Sequence, residues 1–219
     1  MSEHKIFGLG LSRTGTTSLH AALVALGISA CHYPRAAGVA WFRGQFRHAS
    51  MDAYDAYTDL PTPAFYAELD RAWPEARFIL TCRDVDRWLD SVGRFSARRP
   101  VPTRVGFEEA ARLAVYGTLT FVPERYRNVY VRHCDNVIGH FAGRPGKLLV
   151  FDLDRNVQLA DLCAFLGLGV PDLPYPTVRL PELIGNGMGV VAARDMARKQ
   201  PLMIERIRQL AREAPARAT

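Results

Sequence analysis

Residues 8–18 read GLGLSRTGTTS, a stretch where glycines, hydroxyl side chains and one arginine crowd together. Gly8, Gly10 and Gly15 let the backbone turn and approach a ligand closely. Thr14, Thr16, Thr17 and Ser18 supply hydroxyl donors, and Arg13 supplies a permanent cation. Together these residue types bind an anion. The elements that must present them are a short buried strand over 5–9 and a helix from about 15 to 26. Leu19, Leu23 and Leu26 recur at helical spacing and give that helix an apolar face for a sheet. The free N–H groups of its first turn, with the helix dipole, favour negative charge at its start.

Two common glycine loops fit this stretch poorly. Gly10 and Gly15 have the spacing of the nucleotide-triphosphate loop, but Thr16 stands where its lysine belongs. Gly8 and Gly10 can open a dinucleotide fingerprint, but Arg13 replaces its third glycine.

The rest of the chain alternates short apolar runs with helical patterns. Residues 28–33 and 54–60 read as short strands or extended segments. Residues 77–82 (RFILTC) and 147–152 (KLLVFD) centre on short continuous apolar runs and read as buried strands of a parallel sheet. Helices are expected over 36–46, with Val39, Phe42 and Phe46 inward, and over 64–73, with Phe65, Leu69 and Trp73 on one face. Further helices are expected over 85–95 behind an Asp84 cap, 107–121, 124–141, 157–166 and, broken at Pro201, 192–199 and 202–213. This alternation predicts an α/β fold, a parallel sheet with helices on both faces, as one domain over 1–219. Ligands of such sheets sit at the carboxyl ends of the strands. The loop after Leu9, the region of Asp59 and the turn over 82–84 all open on that edge.

Composition narrows the class. The chain has 219 residues, 48% hydrophobic and 23% charged, as a globular protein does. Its net charge is +6, and 25 of its 28 basic residues are arginine. Arginine suits bidentate binding of phosphate and sulfate, so the basic balance fits a polyanionic ligand. No nucleic-acid module is visible. Cys31, Cys82, Cys134 and Cys163 are scattered, without the paired spacing of a zinc site or a disulfide scaffold. No secretion signal or membrane anchor is expected from the sequence, and the expected location is the cytoplasm.

The loop SRTGTTSL resembles the 5′-phosphosulfate loop of the sulfotransferases, with a pattern near [PS]-[KR]-[ST]-G-T-[TS]. The likeness is strongest to a short, single-domain group with GLxRTGTxSL loops. That resemblance implies a three-layer α/β/α fold with a central parallel sheet, similar to the P-loop nucleotide kinases. It implies 3′-phosphoadenosine 5′-phosphosulfate (PAPS) as cosubstrate, PAP as product, and no metal. On it Arg13 touches the bridging oxygen, Gly15, Thr16 and Thr17 hold the 5′-phosphate, and Thr14 and Ser18 belong to the same cofactor site. A second motif lies in RFILTCRDVDRWLDSV. In the family pattern an arginine ends this strand and a serine eight residues on completes a clamp for the 3′-phosphate, which assigns Arg83 and Ser91. A third stretch, KLLVFDLDRNVQLADLCAFLG, resembles the family's late strand and helix. The resemblance runs from about residue 6 to 167. The family's late arginine-lysine-glycine loop is not evident.

The reaction implied is in-line sulfuryl transfer to a hydroxyl or amine of a small-molecule acceptor. It needs positioning, a charge at the leaving oxygen and a base for the acceptor proton. Asp59, at the carboxyl end of its segment, is the expected base, with Glu68 and His32 as alternatives and a plain helix cap as the structural reading. Two competing functions remain: a nucleotide or small-molecule kinase, and a non-catalytic nucleotide-binding protein of the same fold.

Overall fold

The computed structural model describes residues 4–97, 104–155, 158–172 and 175–176. The loop over 98–103, the glycine-bearing segment over 184–190 and the terminal helices expected over 192–213 lie outside the described residues.

Five parallel strands form one sheet in the order β2-β3-β1-β4-β5. They are β1 (Ile6–Gly8), β2 (Ala30–His32), β3 (Ala56–Thr58), β4 (Arg77–Cys82) and β5 (Leu148–Asp152). Ile6 pairs with Ala56 on one side and Arg77 on the other, so the strand that feeds the glycine loop lies mid-sheet. Among the described residues, seven α-helices cover the faces: α1 (Thr16–Ala25), α2 (Arg35–Trp41), α3 (Tyr66–Ala72), α4 (Val85–Ser96), α5 (Phe107–Tyr116), α6 (Pro123–Phe141) and α7 (Leu159–Leu166).

Strand alternation sends successive side chains to opposite faces. Ile6 and Ile79 pack with Leu19 and Leu23 of α1 and Leu162 of α7. Phe7, Phe78 and Leu80 pack with Trp41, Leu69, Val137 and Phe141 of α2, α3 and α6. The result is the expected α/β/α sandwich. A third apolar cluster fills the carboxyl end of the sheet, where Leu11 and Leu60 meet Trp88, Tyr116, Tyr126 and Tyr130. Those helices wall the edge where the site forms.

Three element boundaries differ from the sequence reading. α2 stops at Trp41 and buries Ala37, Gly38, Ala40 and Trp41. Val39 and Phe42 are 38% and 39% exposed. The indole of Trp41 decides the rotation, because it packs edge-on against Phe7 and Tyr57. The segment before Pro61 narrows to β3, and residues 62–65 form a 3₁₀ turn ahead of α3. α5 ends at Gly117, whose φ of 63° makes it the left-handed stop that a glycine accepts at least cost. The cap of α4 is as expected: Asp84 accepts from the Asp86 and Arg87 amides at 3.1 and 3.0 Å.

Candidate active site

The loop from β1 to α1 is held from three sides. Leu9 N–H donates to Ile79 at 2.7 Å, and the His133 ring donates from Nε2 to the Leu9 carbonyl at 2.7 Å. A Cβ on Gly10 would sit 1.8 Å from Thr81 Oγ1 and 2.5 Å from Thr14 Oγ1, so only glycine passes there. Thr14 is fully buried. Its hydroxyl donates to the Leu11 carbonyl at 2.7 Å and meets Thr81 Oγ1 at 2.8 Å. Thr14 thus spends its hydroxyl inside the protein and shapes the loop. Gly15, at φ 81°, caps α1 with no side chain, and no carboxylate occupies the first turn of the helix. An α1 start of this kind attracts an anion. Thr16 is buried there, and Thr17 and Ser18 are half-buried.

Arg13, Tyr33 and Asp59 are the non-glycine residues with positive φ among the described residues, at 76°, 58° and 68°. They follow β1, β2 and β3, neighbouring strands, at their carboxyl ends. Each conformation costs roughly 1–3 kcal/mol and persists only where the surroundings impose it, a pattern that clusters at active sites. Residue type gave no signal of this at Tyr33, which the sequence reading placed inside a strand.

Two distant motifs meet over α4. Arg13 donates from Nε to Ser91 Oγ at 3.2 Å, and its guanidinium carbon lies 5.3 Å from the Phe95 ring. Arg83 follows β4 on the same edge. Its Nε is buried without a hydrogen-bond partner among the described residues. A buried cationic donor left open in this way fits an anion.

Asp59 sits beside the loop. Ser12 donates to its Oδ1 at 2.7 Å, and Leu60 N–H donates to the same oxygen at 2.9 Å. His32 Nε2 lies 3.3 Å from Oδ2, while His32 Nδ1 meets Thr58 Oγ1 at 3.0 Å. The Asp59 and His32 side chains are 16% and 10% exposed, so the carboxylate is held yet reachable. Ser12 also accepts at its carbonyl from Trp88 Nε1 at 3.0 Å and is hydrogen-bonded to the Tyr116 hydroxyl. Burial, and then the Asp59 charge, push that phenol above its ordinary range. Behind His32 lies His20 of α1, ring centres 5.4 Å apart, with both ring nitrogens buried and without hydrogen-bond partners among the described residues. Burial, and then His32, lower His20 to about 3. Burial also lowers His32, opposed by Asp59.

The sequence reading offered Asp59, His32 and Glu68 as separate candidates. The structure joins the first two. Glu68 lies on α3 with Arg71, 3.5 Å away, at the surface. Trp41 and Tyr116 are 1% and 4% exposed and belong to the core.

A parallel α/β sheet with a glycine-hydroxyl loop entering a helix, and arginines gathered at the carboxyl edge, defines an α/β fold of the P-loop type. A sulfotransferase-domain family model matches residues 5–182, and the chain belongs to that family. The structure is similar to the crystal structure of a sulfotransferase from Alicyclobacillus acidocaldarius, with TM-score 0.53, 16% identity and 97% of each chain covered. It is also similar to mouse sulfotransferase SULT7A1 complexed with PAP, with TM-score 0.49 and 15% identity over 78% of this chain and 61% of that chain. In sequence it is 35% identical to the Ava biosynthesis cluster protein M of Aspergillus versicolor, over 40% of this chain and 41% of that protein. The match thus spans less than half of that relative. No helix among the described residues is long and apolar enough to cross a membrane.

Proposed function

We infer that this sulfotransferase takes its sulfuryl group from PAPS and passes it to a hydroxyl or amine of a small-molecule acceptor. One observation carries the reading: Arg13 of the loop and Ser91 of α4, from two separate motifs, share a hydrogen bond of 3.2 Å. The start of α1, with Gly15, Thr16, Thr17 and Ser18, receives the 5′-phosphate, and Thr14 keeps the loop in shape. Arg83 and Ser91 receive the 3′-phosphate, and the open Nε of Arg83 supports that part. The acceptor oxygen forms a bond to sulfur as the bridging S–O bond breaks. The electron pair leaves on the 5′-phosphate, where Arg13 offsets the developing charge. Asp59 takes the acceptor proton; its contacts with Ser12 and Leu60 fix the carboxylate, and His32 holds the second oxygen.

The test is transfer of label from ³⁵S-PAPS to a panel of alcohols, phenols and amines. Labelled acceptor appearing together with PAP supports the reading. Magnesium-dependent turnover of ATP, with no labelled acceptor, replaces it with a kinase of the same fold. Tight PAP binding with no transfer to any acceptor replaces it with a nucleotide-binding protein.

A further inference from the structure

α6 crosses the end of β4 in such a way that one hydroxyl serves both peptide groups of Arg83. Tyr130 Oη accepts from the Arg83 N–H at 2.8 Å and donates to the Arg83 carbonyl at 2.6 Å. A phenol has one proton, and here that proton goes to the residue whose amide the same oxygen accepts. These two hydrogen bonds fix the chain where β4 ends, so they fix where the Arg83 side chain starts. Tyr130 is itself well anchored. It is 6% exposed, and its ring centre lies 4.6 Å from that of Trp88. Trp88 in turn donates to the Ser12 carbonyl in the glycine loop at 3.0 Å. Burial raises the Tyr130 phenol above its ordinary range, so the hydroxyl keeps its proton at neutral pH.

The guanidinium is treated differently from the backbone. Asp154, whose charge reaches Arg83, makes its hydrogen bonds to the Asp84 amide and to Arg87, the latter at 3.0 Å. Arg83 Nε is buried with no hydrogen-bond partner among the described residues. A backbone held twice and a side-chain donor left open are the two halves of a preorganised anion contact.

We propose that Tyr130 is a positioning residue that aims Arg83 and so sets the preference for a nucleotide bearing a 3′-phosphate over one bearing only a 5′-phosphate. This rests on the PAPS reading above. A residue that only supported the fold would weaken both nucleotides together. A residue that acts through Arg83 weakens only the one that Arg83 touches.

The experiment is calorimetric titration of the full chain and of Tyr130→Phe, Arg83→Ala and the double variant with PAP and with AMP. Tyr130→Phe keeps the ring on Trp88 and removes the hydroxyl. Its PAP affinity is expected to fall about three- to tenfold, as loss of one or two hydrogen bonds implies, with AMP changed less than about twofold. In the Arg83→Ala background the same change is expected to leave PAP affinity unaltered, because coupled residues are not additive. Each pair of constants comes from one preparation, so their ratio does not depend on the fraction folded. An unchanged PAP-to-AMP ratio in Tyr130→Phe, or additive losses in the double variant, overturns the proposal. A parent protein that does not distinguish PAP from AMP overturns the PAPS reading instead, and the two failures are read from different samples.

Discussion

Arg13 and Ser91 stand 78 positions apart and are joined by a 3.2 Å hydrogen bond between Nε and Oγ. The bond ties the β1–α1 loop to α4. On the proposed reading, the residue that serves the leaving oxygen is held by the residue that serves the 3′-phosphate. A guanidinium at a developing negative charge matters most in the transition state. Arg13→Ala is expected to lower turnover by about 10²–10³-fold. PAP affinity is expected to change by less than about tenfold. Single-turnover rates beside titration separate the two effects. Equal losses in both would place Arg13 in ground-state binding.

The carboxylate of Asp59 is expected to act in chemistry and not in nucleotide binding. Asp59→Asn keeps the shape and removes the proton acceptor. Turnover with an alkyl alcohol should drop by about 10²–10⁴-fold while PAP binding survives. Normal turnover in this variant would eliminate Asp59, and His32, 3.3 Å from it, would be the next position to change.

Gly10 is expected to be irreplaceable for packing reasons. An added methyl meets Thr81 Oγ1 at 1.8 Å and the Thr81 carbonyl oxygen at 2.8 Å, whereas one at Gly139 on α6 meets nothing within 4 Å. Gly10→Ala should cost on the order of 1–3 kcal/mol or more in urea unfolding. Gly139→Ala should be neutral or stabilise by up to about 1 kcal/mol. Equal effects at the two sites would mean the loop does not close on Thr81 as described.

His20 gives the fold a pH dependence. Its folded value, about 3, lies below the ordinary 6.5, so the unfolded chain binds a proton that the folded chain refuses. Stability is full above pH 6.5 and falls as the pH drops toward the folded value. Between pH 7.5 and 5.5 this one group should remove about 1.4 kcal/mol. His20→Leu should lose that much less over the same interval in urea titrations. An identical pH slope in the parent and the variant would show that His20 takes up its proton in the folded protein.

Much of this fold was readable because its signals are local. RFILTC is built on the apolar run of Phe78, Ile79 and Leu80, and β4 spans those six residues. Asp84 before Val85 is a side-chain cap within reach of its own helix, and it caps. The glycine pattern marked the loop for the same reason. Phe42 against Trp41 was misjudged because helical spacing does not say which of two large rings finds a pocket, and Phe7 and Tyr57 had already shaped one for Trp41. The pairing of His32 with Asp59 was hidden more deeply. It exists because β2 and β3 are neighbours in the sheet, and no residue of either strand encodes that order. Tyr130 on Arg83 is of the same kind, a contact across 47 positions made by one helix lying over one strand end.

On the proposed function, the site is built for a nucleotide with phosphates at both 5′ and 3′ positions. Calorimetric titration of the unmodified chain with PAP, AMP and magnesium-ATP tests it directly. PAP should bind at least about tenfold tighter than AMP, since charge-assisted contacts to a second phosphate contribute roughly 1.5–3 kcal/mol. Equal affinity for PAP and AMP, or a preference for magnesium-ATP, would contradict it.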